Sequence, residues 1–75
     1  MTDALLMTVG RNLAKIRQDR GLSQERFAEQ LGYDRTYLGD VERGKRNLTL
    51  RAVEDIAQRA GVTAMSLLAE QVRYP

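Results

Sequence analysis

The amino-acid sequence predicts an all-α fold, a compact bundle of five helices. Apolar residues recur at the three- and four-residue spacing of helices along nearly the whole chain, and no segment alternates as a half-buried strand does. The single proline is the last residue, so it interrupts no helix. Because 75 residues suit one small domain, we expect residues 1–75 to form a single unit.

The first predicted helix runs from about residue 3 to residue 19, and the second from residue 24 to residue 31. Gly21 ends the first helix where a left-handed residue is favoured, Ser23 caps the second, and Gly32 ends it. The expected inward residues are Leu6, Val9, Leu13 and Ile16 in the first helix and Phe27, Ala28 and Leu31 in the second.

Three further helices are predicted at about residues 35–43, 50–60 and 64–72. Asp34, Thr49 and Thr63 are their expected N-caps, because each side chain can accept a hydrogen bond from the first helical turn. Gly44 and Gly61 end the third and fourth helices. The expected inward residues are Leu38 and Val41 in the third helix and Leu50, Val53, Ile56, Ala57 and Ala60 in the fourth.

Composition restricts the possible functions. The chain has no Cys and no His, so we expect neither disulfides nor a metal site, and no cofactor. Every Asp and Glu is placed at a helix cap or on a polar face, which argues against acid–base catalysis and against an enzyme. The N-terminal segment is too short in apolar residues for a signal peptide or a membrane span, so we expect a soluble, cytoplasmic protein with no membrane partner.

The basic residues are mostly arginine, ten of the twelve, although the net charge is only +2. A guanidinium can bind phosphate or the edge of guanine with two hydrogen bonds, whereas a lysine ammonium is a point charge. Four basic residues lie within nine positions that contain no acid: Arg43, Lys45, Arg46 and Arg51. This cluster favours a nucleic acid as the partner.

The two short helices around Gly32 have the pattern of a helix-turn-helix that spans residues 24–43. Ala28 is small enough for a close crossing of the two helices, and Gly32 can adopt the positive φ that the turn needs. Apolar residues that would attach both helices to the rest of the domain stand at Phe27, Leu31, Tyr33, Leu38 and Val41.

The stretch QERFAEQLGYDRTYLGDVERG resembles the lambda-repressor-like (Cro-type) helix-turn-helix family. The flanking GLSQ and ERGKRNLTL extend the resemblance to roughly residues 8–68. More narrowly, DRTYLGDVERGKRNLTL is similar to the recognition segment of controller proteins of restriction-modification systems. The chain departs from that segment at Gly39, where controller proteins usually have Ser.

The residues expected to read bases lie on the third helix, which presents mainly its N-terminal residues to the major groove in such proteins. They are Arg35, Thr36, Tyr37 and Gly39. Arg35 can bind guanine O6 and N7, but it can also be a solvated residue beside the Asp34 cap. Thr36 can contact a thymine methyl, a phosphate or only water. The Tyr37 ring can pack in the core while its hydroxyl reaches the DNA.

The residues expected to contact the DNA backbone are Gln24, Arg43, Arg46 and Asn47. The resemblance implies the role of Gln24, and the loop after the third helix can bind phosphate without reading sequence. The alternative for the loop is a solvated run of charge. Glu42 is acidic in this basic region, so we expect it to pair with Arg11, Arg17 or Arg46.

The fifth helix has more apolar residues than one inward stripe requires, namely Met65, Leu67, Leu68 and Val72. We expect some of these residues, together with the end of the fourth helix, to form a homodimer contact, the alternative being that all of them pack inside the monomer. The resemblance implies a bacterial, nucleoid-bound regulator of transcription that binds an inverted-repeat operator in double-stranded DNA and controls its own gene and an endonuclease gene. RNA polymerase is a further candidate partner. The alternatives are a small phage or chromosomal repressor, or an antitoxin-type regulator with a protein partner.

Overall fold

Five helices follow one another in the computed structural model, which describes residues 4–70, and this part of the chain contains no strand. They are α1 (Ala4–Asp19), α2 (Gln24–Leu31), α3 (Arg35–Glu42), α4 (Leu50–Ala60) and α5 (Ala64–Leu68). The predicted all-α fold is confirmed. None of these helices combines the length and the apolar character that crossing a membrane requires.

The four predicted N-caps are all present. The side chains of Ser23, Asp34, Thr49 and Thr63 each accept a hydrogen bond from a backbone N–H in the first turn of the helix that follows. A cap of this kind stabilises a helix by about 1 kcal/mol. Since α2, α3 and α5 have eight residues or fewer, the caps are a substantial part of what defines their start.

All five helices contribute to one apolar core. The large side chains that are fully buried in it are Val9, Leu13, Phe27, Leu38, Val41, Ile56 and Leu67. Helix α1 packs against both α3 and α5, while α2 packs against α3 and α4. The α2–α3 pair is therefore supported from behind by α1 and α4, and its outer surface is open to solvent.

Helix α5 is shorter than predicted, because it ends at Leu68 and Ala69 is already extended (φ −77°, ψ 130°). The Asn12 side chain of α1 donates hydrogen bonds of 2.8 Å to the carbonyl oxygens of Leu67 and Ala69. These carbonyls therefore have partners without a further helical turn. Val72, one of the expected dimer residues, lies outside the described residues.

Two apolar residues differ from their predicted positions. Leu67 was expected at a dimer contact, but its side chain has no exposed surface and packs in the core of the monomer, so that prediction is wrong. Leu50 was expected to face inward, but it is 72% exposed. Helical side chains lean toward the N-terminus, and Leu50 is the first residue of α4, so its side chain extends past the end of the helix rather than over the core.

Helix α1 lies directly against the backbone at the end of α3 at Gly10, which is buried. A Cβ atom built at Gly10 would lie 2.5 Å from the carbonyl oxygen of Glu42 and even closer to that of Val41. Because both neighbours are backbone atoms at the end of α3, they cannot move without moving the helix. Glycine is thus required here for lack of space, and it sets the depth at which α3 is seated on α1.

We expect Gly10→Ala to destabilise the fold by about 2 kcal/mol, because the strain of overpacking exceeds the gain of about 1 kcal/mol in helix propensity. Urea denaturation followed by circular dichroism measures this change. Gly39→Ala is the matched control, since its new Cβ would meet only the tip of the Arg43 side chain, 3.2 Å away. The control should be as stable as the wild type or more so, and equal stability of both variants would contradict the prediction.

Candidate nucleic-acid interface

The turn between α2 and α3 has the geometry predicted from Gly32. Gly32 adopts φ 78° and ψ 26°, and its N–H donates to the carbonyl oxygens of Ala28 and Glu29. The N–H of Tyr33 also donates to the Ala28 oxygen, at 2.9 Å. Ala28 is 2% exposed, so the small residue lies where the two helices meet. Helices α2 and α3 therefore form a helix-turn-helix with α3 on the outer surface.

A shallow groove of about 180 Å³ runs between the N-terminus of α2 and the outer face of α3. It is lined by Gln24, Arg35, Thr36, Gly39 and Arg43, all of which the sequence had marked as candidate DNA contacts. Arg35 and Thr36 are exposed in the first turn of α3. The groove lining contains two arginines and no acid, so its charge suits a phosphate or the acceptor-rich edge of guanine.

A larger concavity of about 700 Å³ opens along α1, but its charges are mixed. Arg11 and Lys15 line it together with Glu42 and Glu70. Acids and bases side by side cancel much of the field that would attract a polyanion. The smaller groove on α3 is therefore the better candidate for nucleic acid, despite its lower volume.

Gly39 does not face solvent as the sequence had suggested. It is buried, because the guanidinium of Arg43 lies over it; a Cβ atom at Gly39 would be 3.2 Å from one terminal nitrogen and 3.5 Å from the other. Gly39, expected among the base-reading residues, is therefore covered in the free protein. DNA can reach the Gly39 backbone only after Arg43 has moved aside.

Glu42 has a defined partner, Arg17 of α1. The Arg17 Nε donates to one carboxylate oxygen at 2.8 Å and a terminal nitrogen donates to the other at 3.1 Å. The Glu42 side chain is 5% exposed and the Arg17 side chain 16%. Of the three arginines that the sequence allowed, the structure thus selects Arg17. The guanidinium also donates to the carbonyl oxygen of Leu22 and so holds the linker before α2.

The same carboxylate positions a candidate DNA contact. The Gln24 amide nitrogen donates to Glu42 Oε1 at 2.9 Å. The charge of Glu42 is therefore compensated by Arg17, and its remaining hydrogen-bonding capacity orients Gln24. Sequence reasoning had placed Gln24 at the interface but had not connected it to Glu42, which lies 18 positions away.

A stack of two aromatic rings between two guanidinium groups runs from α4 to the loop after α3. The guanidinium of Arg59 lies 4.6 Å from the centre of the Tyr33 ring, the Tyr33 and Tyr37 rings are 5.0 Å apart, and the Arg46 guanidinium lies 4.8 Å from the Tyr37 ring. Cation–π contacts of this kind favour one orientation of each ring and guanidinium. The Tyr37 ring is consequently half-buried, and Arg46 is held beside it.

One end of the stack rests on Asp55, which sequence reasoning had missed. The Tyr33 hydroxyl donates to Asp55, and Arg59 pairs with the same carboxylate at 3.0 Å. Burial and this hydrogen bond raise the pKa of Tyr33 well above its usual value. The hydrogen bond from Tyr33, together with Arg59, lowers the pKa of Asp55. The i,i+4 spacing of Asp55 and Arg59 was the one signal in the sequence that could have indicated this pair.

The remaining basic candidates surround Asp40 on the outer face of α3. Arg43 donates to one oxygen of the Asp40 carboxylate at 2.7 Å, and a terminal nitrogen of Arg46 lies 3.7 Å from the other. Asn47 is exposed in the loop that follows. The structure thus places seven of the eight candidate DNA contacts on the exposed or half-buried face of α3, at the start of α2 or in the adjoining loop, and covers only Gly39.

The sequence is similar to those of known helix-turn-helix proteins. A sequence profile described as "Helix-turn-helix" (HTH_3) matches residues 13–67. The chain is 42% identical over 62 residues to the control protein C.MunI of Mycoplasma sp., an alignment that covers 81% of this chain and 84% of that protein.

Two solved structures extend the likeness to the fold. The restriction-modification controller protein C.AhdI from Aeromonas hydrophila is 39% identical with a TM-score of 0.72, and the match covers 85% of this chain and 97% of that one. The controller protein C.Esp1396I, solved as a tetramer in complex with its natural 35-base-pair operator, is 36% identical with a TM-score of 0.71; here the match covers 84% of this chain and 83% of that one.

Replacing Glu42 with Ala should destabilise the protein by about 3 kcal/mol, because it leaves the largely buried Arg17 guanidinium without its carboxylate. The same change frees Gln24, so DNA affinity should also fall. Urea denaturation measures the first effect and a duplex-binding titration the second. Asp19→Ala, which removes an exposed pair with Lys15, is the control and should change stability by less than about 1 kcal/mol. Glu42→Ala with wild-type stability and affinity would refute the assignment.

Proposed function

The chain belongs to the helix-turn-helix family of transcriptional regulators, and on that premise we propose that it is the controller protein of a restriction-modification system. The observation that supports DNA recognition most directly is the acid-free groove lined by Gln24, Arg35, Thr36, Gly39 and Arg43. The controller role is supported by the similarity to C.MunI and C.AhdI over most of both chains. Such a protein acts on the genome in the bacterial cytoplasm and regulates its own gene and that of the endonuclease.

In the proposed complex α3 enters the major groove with its N-terminal turn toward the base edges. Arg35 donates two hydrogen bonds to guanine O6 and N7, and Thr36 contacts a neighbouring base. Tyr37 reaches the DNA through its hydroxyl, since its ring is held in the stack. Gly39 lets the backbone of α3 approach the bases once Arg43 has moved.

Phosphate contacts come from both sides of the groove. Gln24, at the first turn of α2, donates to a phosphate together with the free N–H groups of that helix end. On the other side the phosphate contacts are Arg43, Arg46 and Asn47. These contacts set the register of α3 along the duplex but do not read the sequence.

A second copy of the chain is needed, because one small domain contacts too few base pairs to find its site among the many competing ones in a genome. We propose that the homodimer contact is formed around Met65, which is 73% exposed, with the half-buried Leu68 three positions further along the same helix. Leu67 lies beneath this surface in the core and supports it. The tetrameric assembly of C.Esp1396I on its operator is consistent with such pairing.

We expect the wild type to sediment as a dimer at tens of micromolar protein, and Met65→Glu to sediment as a monomer because a charge would be buried in the contact. Leu5→Glu is the matched control: it places the same charge on an apolar residue of α1 that is 55% exposed, and it should remain dimeric. A monomeric wild type would refute the dimer. A dimeric Met65→Glu variant would show that the dimer contact does not include Met65.

Selection of bound duplexes from a randomised pool at about 150 mM salt tests DNA recognition directly. The wild type should enrich an inverted repeat whose half-sites are about 34 Å apart along the duplex. Arg35→Ala should lose the preference for one guanine per half-site and bind the wild-type site about 10- to 100-fold more weakly, since a bidentate contact provides about 1–3 kcal/mol of discrimination.

Arg11→Ala is the matched control, because Arg11 is exposed on α1 and does not line the groove on α3. It should select the same site as the wild type. Recovery of unenriched DNA by the wild type would refute sequence-specific recognition. An Arg35→Ala variant that selects the wild-type site unchanged would remove Arg35 from the contact.

A further inference from the structure

We propose that Asp40 is an internal competitor of DNA phosphate, which binds Arg43 and Arg46 in the free protein and lowers the affinity of both for the DNA backbone. The inference rests on the proposed function in one respect, because it takes the polyanion that binds these arginines to be a nucleic acid. It assigns a role to the one acid that lies on the outer face of α3, among residues expected to meet DNA.

The geometry shows that the two arginines share one carboxylate. Arg43 donates to Asp40 Oδ1 at 2.7 Å, a short charge-assisted hydrogen bond, and an Arg46 nitrogen lies 3.7 Å from Oδ2. The Asp40 side chain is 28% exposed, while those of Arg43 and Arg46 are 54% and 48% exposed. Each oxygen of the carboxylate thus faces one guanidinium, and both guanidinium groups remain accessible to an incoming anion.

The contact with Asp40 also fixes where Arg43 lies. Its guanidinium covers Gly39, with a terminal nitrogen 3.2 Å from the position of an absent Cβ, and so occupies part of the groove between α2 and α3. A Cβ atom at residue 39 would require the Arg43 guanidinium to shift by a few tenths of an ångström. Gly39 therefore provides the space in which the Asp40–Arg43 pair closes over the helix.

Arg46 is restrained by a second contact, since its guanidinium also lies 4.8 Å from the centre of the Tyr37 ring. That contact persists when the carboxylate is removed. Arg43 has only Asp40 to hold it among the described residues of this face, so Arg43 is the arginine whose freedom Asp40 controls most strongly.

Carboxylate and phosphate oxygens are equivalent partners for a guanidinium, so DNA binding exchanges one acceptor for the other. The exchange leaves Asp40 unpaired beside a negatively charged backbone, which opposes binding. An ion pair whose arginines are about half exposed is weak, so the phosphates of a duplex can still open it. Asp40 thus reduces the affinity for phosphate without preventing binding.

Titration of a fluorescent duplex of arbitrary sequence at low salt tests the proposal. Asp40→Asn should bind this duplex about five-fold more tightly than the wild type, and should elute from a heparin column at higher salt. Asp19→Asn, which removes one charge from an exposed pair on α1, is the matched control and should change affinity less than two-fold. Thermal unfolding checks that all variants are folded.

A double-mutant cycle with Arg43→Met separates competition from simple repulsion between Asp40 and DNA. Competition predicts that Asp40→Asn gains less than about two-fold in the Arg43→Met background, because the arginine that Asp40 restrains most strongly is gone and Arg46 keeps its contact with Tyr37. Simple repulsion predicts the same gain in both backgrounds, and that result would overturn the proposal.

Gly39→Ala provides a test without a change of charge. The added methyl group shifts the Arg43 guanidinium and weakens its contact with Asp40, so heparin retention should rise as it does in Asp40→Asn. Alanine is compatible with the helix at this position. Unchanged retention of both variants would overturn the proposal. Heparin retention does not depend on an operator sequence. A wild type that selects no DNA sequence would refute the proposed function, while the heparin result would still decide the role of Asp40.

Discussion

The buried ion pair between Glu42 and Arg17 is the interaction on which the rest of the structure depends. Glu42 is the last residue of α3, Arg17 lies near the end of α1, and the guanidinium also binds the linker before α2 through the Leu22 carbonyl. Directly beside this pair the backbone of α3 touches Gly10. An ion pair with so little exposure requires good geometry to offset its desolvation, so it defines the relative position of the three helices rather than merely adding stability.

The side chains around the groove on α3 are oriented by polar contacts, some with the buried ion pair and some with α4. Gln24 is oriented directly by Glu42. Tyr37 and Arg46 are held by the stack that begins at Asp55 on α4, so a helix remote from the groove contributes to the arrangement of the interface. Preorganised side chains lose less conformational entropy on binding, which favours affinity without new contacts. Arg35 and Thr36, the residues proposed to contact bases, are exposed and the least restrained.

The family likeness and the side-chain contacts in the structure provide different information about this protein. The family likeness covers the helical frame and the class of function. The pairing of acids with arginines is seen only in the side-chain contacts. Glu42 pairs with Arg17 of α1, whereas Asp40 pairs with Arg43 and Arg46 on the outer side of α3. The two carboxylates are two positions apart on one helix but differ in environment, since Glu42 is 5% exposed against α1 whereas Asp40 is 28% exposed on the outer face of α3.

The sequence by itself determined the helices, their N-caps and the turn at Gly32, because these depend on side chains within about four positions of one another. It also marked most of the residues that line the groove on α3, since helical periodicity separates inward from outward positions. Only the tertiary structure decided that Glu42 pairs with Arg17, that Leu67 is buried while Leu50 is exposed, and that Arg43 covers Gly39. Each of these depends on how helices distant in sequence cross, on where a helix begins relative to the core, or on which rotamer a long flexible side chain adopts, and helical periodicity alone does not specify them.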